Sequence, residues 1–97
     1  MEKEIMKVFS KETIQPELID LKEWHFKGNA IEKKFQFKDF VQAMGFIVQV
    51  GLLSEKKNHH PELFNVYNKV TLRLTTHDAN GVSDKDIDLA KNIEKII

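Results

Sequence analysis

The sequence predicts an α+β fold: a four-stranded antiparallel sheet with helices packed on one face, in the order α-β-β-α-β-β-α. Three observations carry that expectation. Two pairs of short segments alternate apolar and polar residues, and each pair is divided by a turn signal, Gly28-Asn29 in one and Asn68-Lys69 in the other. Between the pairs lies one long stretch rich in apolar residues. The chain then closes on Ser83-x-x-Asp86, a variant of the helix capping box, followed by Leu89, Ala90, Ile93, Ile96 and Ile97 at helical spacing. The 97 residues make one domain, 1–97, because a second core would need more chain.

Residues 10–21 read as the first helix. Ser10 is a capping type, and Ile14, Leu18 and Leu21 recur at i, i+4 and i+7. Pro16 interrupts the pattern, so the helix starts late, near Gln15, or bends. Trp24-His25-Phe26-Lys27 and residues 30–37 are two strands joined by a Gly28-Asn29 hairpin. Residues 38–57 are the long helix, with Asp39 in its first turn where the helix dipole favours an anion. Phe40, Ala43, Met44, Ile47 and Val50 form one apolar stripe on it, and Val41, Val48 and Leu52 form a second. Gln42, Gln49 and Lys56 leave a narrow polar line. A helix apolar over most of its circumference needs cover on more than one side. A crowded core within one chain is one solution; helix-to-helix assembly between subunits is the favoured one, with Gly45 and Gly51 permitting close approach. Residues 63–67 are the third strand, with Tyr67 as a packing residue, and residues 70–75 are its partner. In that partner Val70, Leu72 and Leu74 alternate with Thr71, Arg73 and Thr75.

Composition narrows the classes of function. Lys and Arg number 15 and Asp and Glu 15, so the net charge of zero gives no reason to expect direct nucleic-acid contact or an anionic membrane as partner. Cysteine is absent, which excludes disulfides and thiolate metal sites and suits a reducing, cytoplasmic setting. No apolar run reaches the roughly 18 residues of a membrane span. Met1-Glu2-Lys3-Glu4 begins mixed and charged and leads into no signal-type apolar core.

The chemistry concentrates in Glu55-Lys56-Lys57-Asn58-His59-His60-Pro61 and in Thr75-Thr76-His77, which together hold three of the four histidines. Imidazole is the side chain best suited to moving protons near neutral pH. The long helix is expected to stop at His59-His60, because the residue before Pro61 is pushed away from helical angles. Neighbouring residues of an extended segment point to opposite sides, so the two rings need not face one ligand atom. His77 ends the last strand, whose pairing can return it toward this corner. Three readings compete. In the plainest, His59 and His60 cap a helix end and His77 is an exposed strand terminus. A metal site is disfavoured by the adjacent His-His spacing and by the lack of a helical His pair. Metal-free proton transfer, one imidazole donating and another accepting, ranks above it.

Read as Glu-x3-His-His-Pro-x5-Tyr-x9-His-x8-Asp, ending at Asp86, the pattern resembles the pterin-4a-carbinolamine dehydratases at every position. Further stretches are similar as well: Trp24, Ala30-Ile31, Phe35-x-Phe37-x-Asp39-Phe40, Phe64 through Val70, and Gly81-Val82-Ser83. The resemblance implies a hydro-lyase. Its substrate would be 4a-hydroxytetrahydropterin, the adduct left by aromatic amino acid hydroxylases, and its product the quinonoid dihydropterin of tetrahydrobiopterin recycling. No cofactor and no metal is implied. His59 and His77 would transfer protons, His60 would orient the pterin, and Glu55 would hold an imidazole in its useful tautomer. Trp24, Asn58, Pro61 and Asp86 make up the expected substrate side. Each of these has a plainer role too: Trp24 as core, Pro61 as the fixer of the turn, Asp86 as N3 of the last helix. Leu63 stands where an aromatic is common in the family, and Asn58 where an acid is common. The resemblance further implies a homotetramer built as a dimer of dimers, with long helices at its centre and sheet edges paired within dimers. The alternative function it implies is an interaction module, since some members serve through the long helix as dimerisation cofactors of a homeodomain transcription factor.

Overall fold

The computed structural model describes residues 7–97, and Met1-Glu2-Lys3-Glu4 lies outside the described residues. In chain order the elements are α1 (Gln15–Leu18), β1 (His25–Lys27), β2 (Ala30–Gln36), α2 (Phe40–Lys57), β3 (Glu62–Val66), β4 (Lys69–Leu74), a 3-10 turn (His77–Ala79) and α3 (Asp84–Glu94). The strands are all antiparallel, in the order β1-β2-β4-β3. The two hairpins therefore join through β2 and β4, paired in a register that sets Ile31 opposite Leu74, Lys33 opposite Leu72 and Phe35 opposite Val70. Period-two alternation puts those six on one face. All six are buried, whereas Glu32, Lys34, Thr71 and Arg73 on the other face retain solvent contact. One face thus carries the core and one stays open, the arrangement antiparallel sheets permit. Ala43, Phe46 and Val50 of α2, with Ile87, Leu89, Ala90 and Ile93 of α3, join them in the core.

Local chemistry explains most element boundaries. Gly28 and Asn29 both take left-handed φ, 57° and 61°, as a two-residue hairpin of matching twist requires. In the second hairpin Val66 pairs with Lys69, so the turn is Tyr67-Asn68 and not Asn68-Lys69. Tyr67 is a turn residue with φ 51° and 62% exposure, not a packed strand residue. The Asn65 side-chain amide stabilises this turn by donating to the carbonyls of Tyr67 and Lys69 at 3.1 and 2.8 Å.

The first helix is shorter than residues 10–21. Ser10 and Thr13 bond each other's backbone N–H through their hydroxyls and form a side-chain-closed turn, and helix begins at Gln15 beside Pro16. Ile14 and Leu21 are buried as their spacing requires. Ahead of this turn, Phe9 enters the core by backbone pairing with Val82, its N–H lying 2.8 Å from that carbonyl. Asp39 is the N-cap of α2 and not a first-turn residue; its Oδ1 accepts the Gln42 N–H at 2.9 Å.

Along α2 the two stripes separate. Ala43 and Val50 are buried and Ile47 packs on the core, while Val41, Val48 and Leu52 of the second stripe are 77, 59 and 67% exposed. Phe40, expected on the inner stripe, lies with the exposed set at 45%.

Lys33 is the one cation in the buried row of β2, and it is held there by Glu94 of α3 at 2.8 Å. Trp24, 2% exposed, donates its indole N–H to the same carboxylate oxygen at 3.0 Å. Trp24 thus fills the plainer of its two expected roles, that of a core residue. Glu94→Ala should strand the ammonium and the indole donor together and lower unfolding free energy by about 2–3 kcal/mol in urea titration. Lys33→Met, which leaves Glu94 with the indole and solvent, should stay within about 1 kcal/mol of wild type.

Candidate active site

The helix that carries the histidines ends on Asn58, whose φ of 50° and ψ of 43° place it in the left-handed region. Asparagine is the non-glycine residue that most readily takes that conformation. The His59 N–H then turns back to the Ser54 carbonyl at 3.0 Å, and the Asn58 N–H to Glu55 at 3.2 Å. Asn58 therefore stops the helix ahead of any influence of Pro61. It is an exposed residue whose visible task is this reversal. The reversal sends the two imidazoles apart.

His59 turns inward, its side chain 12% exposed, and its Nε2 lies 2.5 Å from Oδ1 of Asp86. His60 turns outward, 55% exposed, and its Nε2 lies 2.6 Å from Oε1 of Glu55. Glu55 stands one helical turn before His59, yet it meets His60, because the left-handed Asn58 breaks the helical spacing. Two imidazole–carboxylate pairs thus form at the end of α2, one mostly buried and one in solvent.

Asp86 is 0% exposed. Its Oδ2 accepts the Thr76 hydroxyl at 2.7 Å and the Ser83 N–H at 2.9 Å, the latter as half of the capping box that opens α3. Both oxygens are thereby taken by protein groups. Within the chain, Asp86 meets His59, Thr76 and Ser83 and no solvent. Its capping role, legible in the sequence, is present alongside.

His77 opens the 3-10 turn and is exposed. Its loop is closed at the base by a backbone bridge between Thr76 and Gly81, with Thr76 N–H to Gly81 O at 2.8 Å and the return bond at 3.3 Å. The loop is tied to His59 through the Thr76–Asp86 bond. Pro61 is half-buried between the His-His pair and β3 in sequence, at the point where the backbone becomes extended. The role of Thr76 escaped the sequence reading: a threonine at a strand end is unremarkable until the fold sets it against a buried carboxylate.

No group of three or more His, Cys, Asp or Glu side chains among the described residues is arranged to hold a metal ion. His59 and His60 instead each meet a single carboxylate oxygen, an arrangement that fixes tautomers. An imidazole that donates Nε2–H to a carboxylate presents Nδ1 as its basic atom.

Comparison with known proteins agrees at the level of fold and then of family. A crystal structure from Brucella melitensis, described as a transcriptional coactivator/pterin dehydratase, superposes with a TM-score of 0.88 at 39% identity, covering 93% of this chain and 98% of that one. A pterin dehydratase-like RuBisCO assembly factor of the alpha-carboxysome, at 19% identity and a TM-score of 0.66 over 76% of this chain and 88% of that one, shares the fold alone. A protein of Sulfurisphaera tokodaii that carries the provisional name pterin-4-alpha-carbinolamine dehydratase is 45% identical over 92 residues, 95% of this chain and 99% of its own. One of Opitutus terrae with the same provisional name is 46% identical over 90 residues, 92% of this chain and 93% of its own. Residues 7–96 match the family model for pterin 4 alpha carbinolamine dehydratase, and the chain belongs to that family.

Asp86→Ala should orphan three donors, on His59, Thr76 and Ser83, and cost about 3 kcal/mol or more in urea unfolding. Asp86→Asn keeps an acceptor for Thr76 and Ser83, so it should cost less than half as much.

Proposed function

We propose that the protein dehydrates 4a-hydroxytetrahydropterin to the quinonoid dihydropterin by histidine acid/base catalysis, in tetrahydropterin recycling linked to an aromatic amino acid hydroxylase. The observation that carries this reading is the adjacent pair of imidazole–carboxylate contacts, His59–Asp86 and His60–Glu55. The reaction breaks the C4a–O bond and forms a C4a–N5 double bond. Hydroxide is a poor leaving group, so an acid must deliver a proton to the oxygen, which departs as water. A base must take the N5 proton, whose electron pair closes the double bond. Both steps are within the range of positioned imidazoles, which contribute about a hundredfold or more each. His59 and His77 are assigned the proton transfers, and His60, adjustable in its exposed pair with Glu55, orients the pterin. The chemistry calls for neither redox cofactor nor metal. A chain free of cysteine accords with a cytoplasmic site of action, and among the described residues no helix is long and apolar enough to cross a membrane.

The assay is stopped-flow breakdown of 4a-hydroxytetrahydropterin with and without protein. His59→Ala and His77→Ala should each lower the catalysed rate at least about tenfold with the fold intact, and exhaustive chelation should leave it unchanged. Wild-type rates in both variants would remove the histidine assignment, and loss of activity on chelation would remove the metal-free mechanism.

The assembly proposed with this function is a homotetramer, a dimer of dimers in which the exposed stripe Phe40, Val41, Val48 and Leu52 is covered by another copy. The same stripe supports a second reading, an interaction module that docks a partner protein's helices. Retention of full biological effect by the His59→Ala/His77→Ala double variant would favour it. Val48→Glu or Leu52→Glu should lower the oligomeric state, read by light scattering after size exclusion, before the histidine site is lost. A wild-type mass of one chain, 11.3 kDa, would show that nothing covers the stripe by self-assembly.

A further inference from the structure

A carboxylate can only accept hydrogen bonds, and this fixes the direction of every bond in the network around Asp86. The Thr76 hydroxyl must donate to Asp86 Oδ2, at 2.7 Å. Its oxygen is then the acceptor of its 2.5 Å contact with Ser83, whose hydroxyl donates. The Ser83 oxygen in turn accepts the Lys85 N–H at 3.2 Å. At the other end His59 Nε2 must donate to Oδ1, at 2.5 Å. The chain of donors runs one way, from the α3 N-terminus through Ser83 and Thr76 to Asp86, with His59 meeting it from the α2 end. Thr76, Ser83 and Asp86 are all buried, at 5, 0 and 0% exposure, so water does not compete for these bonds.

Ser83 N–H anchors the carboxylate to its own helix. Thr76 anchors it to the end of β4, from outside α3. Without Thr76 the carboxylate keeps one backbone donor and can swing about its side-chain torsions. The backbone of the same residue closes the loop bearing His77 through its bridge to Gly81. One residue therefore sets the orientation of His59 and the base of the His77 loop together.

We infer that Thr76 is a positioning residue of the site: through Asp86 it holds His59 in the Nε2–H tautomer, leaving Nδ1 as the atom that exchanges protons with substrate. The inference rests on the acid/base reading above and extends it to a residue that touches no ligand. The plainer account, a buried hydroxyl satisfied by its neighbours, predicts a stability effect alone.

The test is nitrogen-15 NMR of the histidine rings, with the His59 signals assigned from their loss in His59→Gln, run beside the kinetic assay. Wild-type His59 should show the Nε2–H tautomer, with Asp86→Asn as the reference for its disturbance. Thr76→Val should shift the His59 ring signals toward a mixture and lower kcat about tenfold while KM changes less than twofold, a loss of the order that misplaced catalytic groups produce. Thr76→Ser should restore both. Wild-type ring signals and kcat in Thr76→Val would overturn the inference, as would equal impairment in Thr76→Ser, which would assign the effect to packing of the methyl. A proton on Nδ1 of wild-type His59 would overturn it as well, and this readout stands if Thr76→Val does not fold. Failure of the dehydratase reading is distinguishable: wild-type protein would then fail to accelerate the reaction, whatever tautomer the rings report, and Thr76 would have no role in turnover.

Discussion

A carboxylate with no access to solvent costs several kcal/mol to bury unless donors replace its water, and Asp86 is such a group. Its three donors come from three parts of the chain: the segment after α2, the end of β4 and the first turn of α3. None of the three can move far without exposing the others to the full cost of an unpaired buried charge. The corner in which the histidines sit is therefore defined by one residue's need for partners more than by apolar packing. The capping box gives the same residue a second hold, since the carboxylate that receives His59 also satisfies the N-terminus of α3. Structure and site share one group, and this places Asp86 beyond independent adjustment.

The two imidazole–carboxylate pairs differ in what they permit. Glu55 and His60 are 78 and 55% exposed, so their contact exchanges readily with water and the ring can follow a ligand. His59, 12% exposed and held at Nε2 by the buried Asp86, cannot. A dehydration that needs one fixed proton-transfer atom and one adjustable contact to the pterin fits that division. The division itself comes from the left-handed turn at Asn58. A helix continued through His60 would have stacked His59 over Glu55 and left Asp86 without its ring partner.

What was legible in the sequence was local. Gly28-Asn29, the Ser83-x-x-Asp86 box and the alternation of Val70, Leu72 and Leu74 act within a few residues, and each appears in the fold as read. The histidine segment drew notice because it concentrates ionisable groups. Pairings between distant segments were not legible. Which imidazole Glu55 meets depends on a single residue with positive φ, Asn58, which brings it to His60. Asp86 matches two descriptions at once, and only the fold shows that its capping bond and its bond to the His59 ring coexist. Trp24 was similarly ambiguous until Glu94, 70 positions away, took its N–H. Tyr67 looked like strand by type, yet the two-residue turn demanded by the β3–β4 register claimed it.

The outer side of α2 presents a cost with no internal return. Gly45 and Gly51 weaken a helix by roughly 0.5–1 kcal/mol each relative to alanine, and a Cβ at either position would meet nothing within 4 Å in this chain. Intramolecular packing therefore does not require them. The neighbouring Val41, Val48 and Leu52 lose nothing by exposure only if the exposure ends on association. Glycines that open space and aliphatic residues that need cover lie on one helix, and a second helix laid closely along it would answer both. The glycines and the exposed stripe, apart from any family resemblance, tie the double stripe to the assembly proposed above. A helix whose inner side ends on the histidine corner would then have its outer side fixed by another subunit, and the proposed assembly would brace the segment from which His59 and His60 emerge.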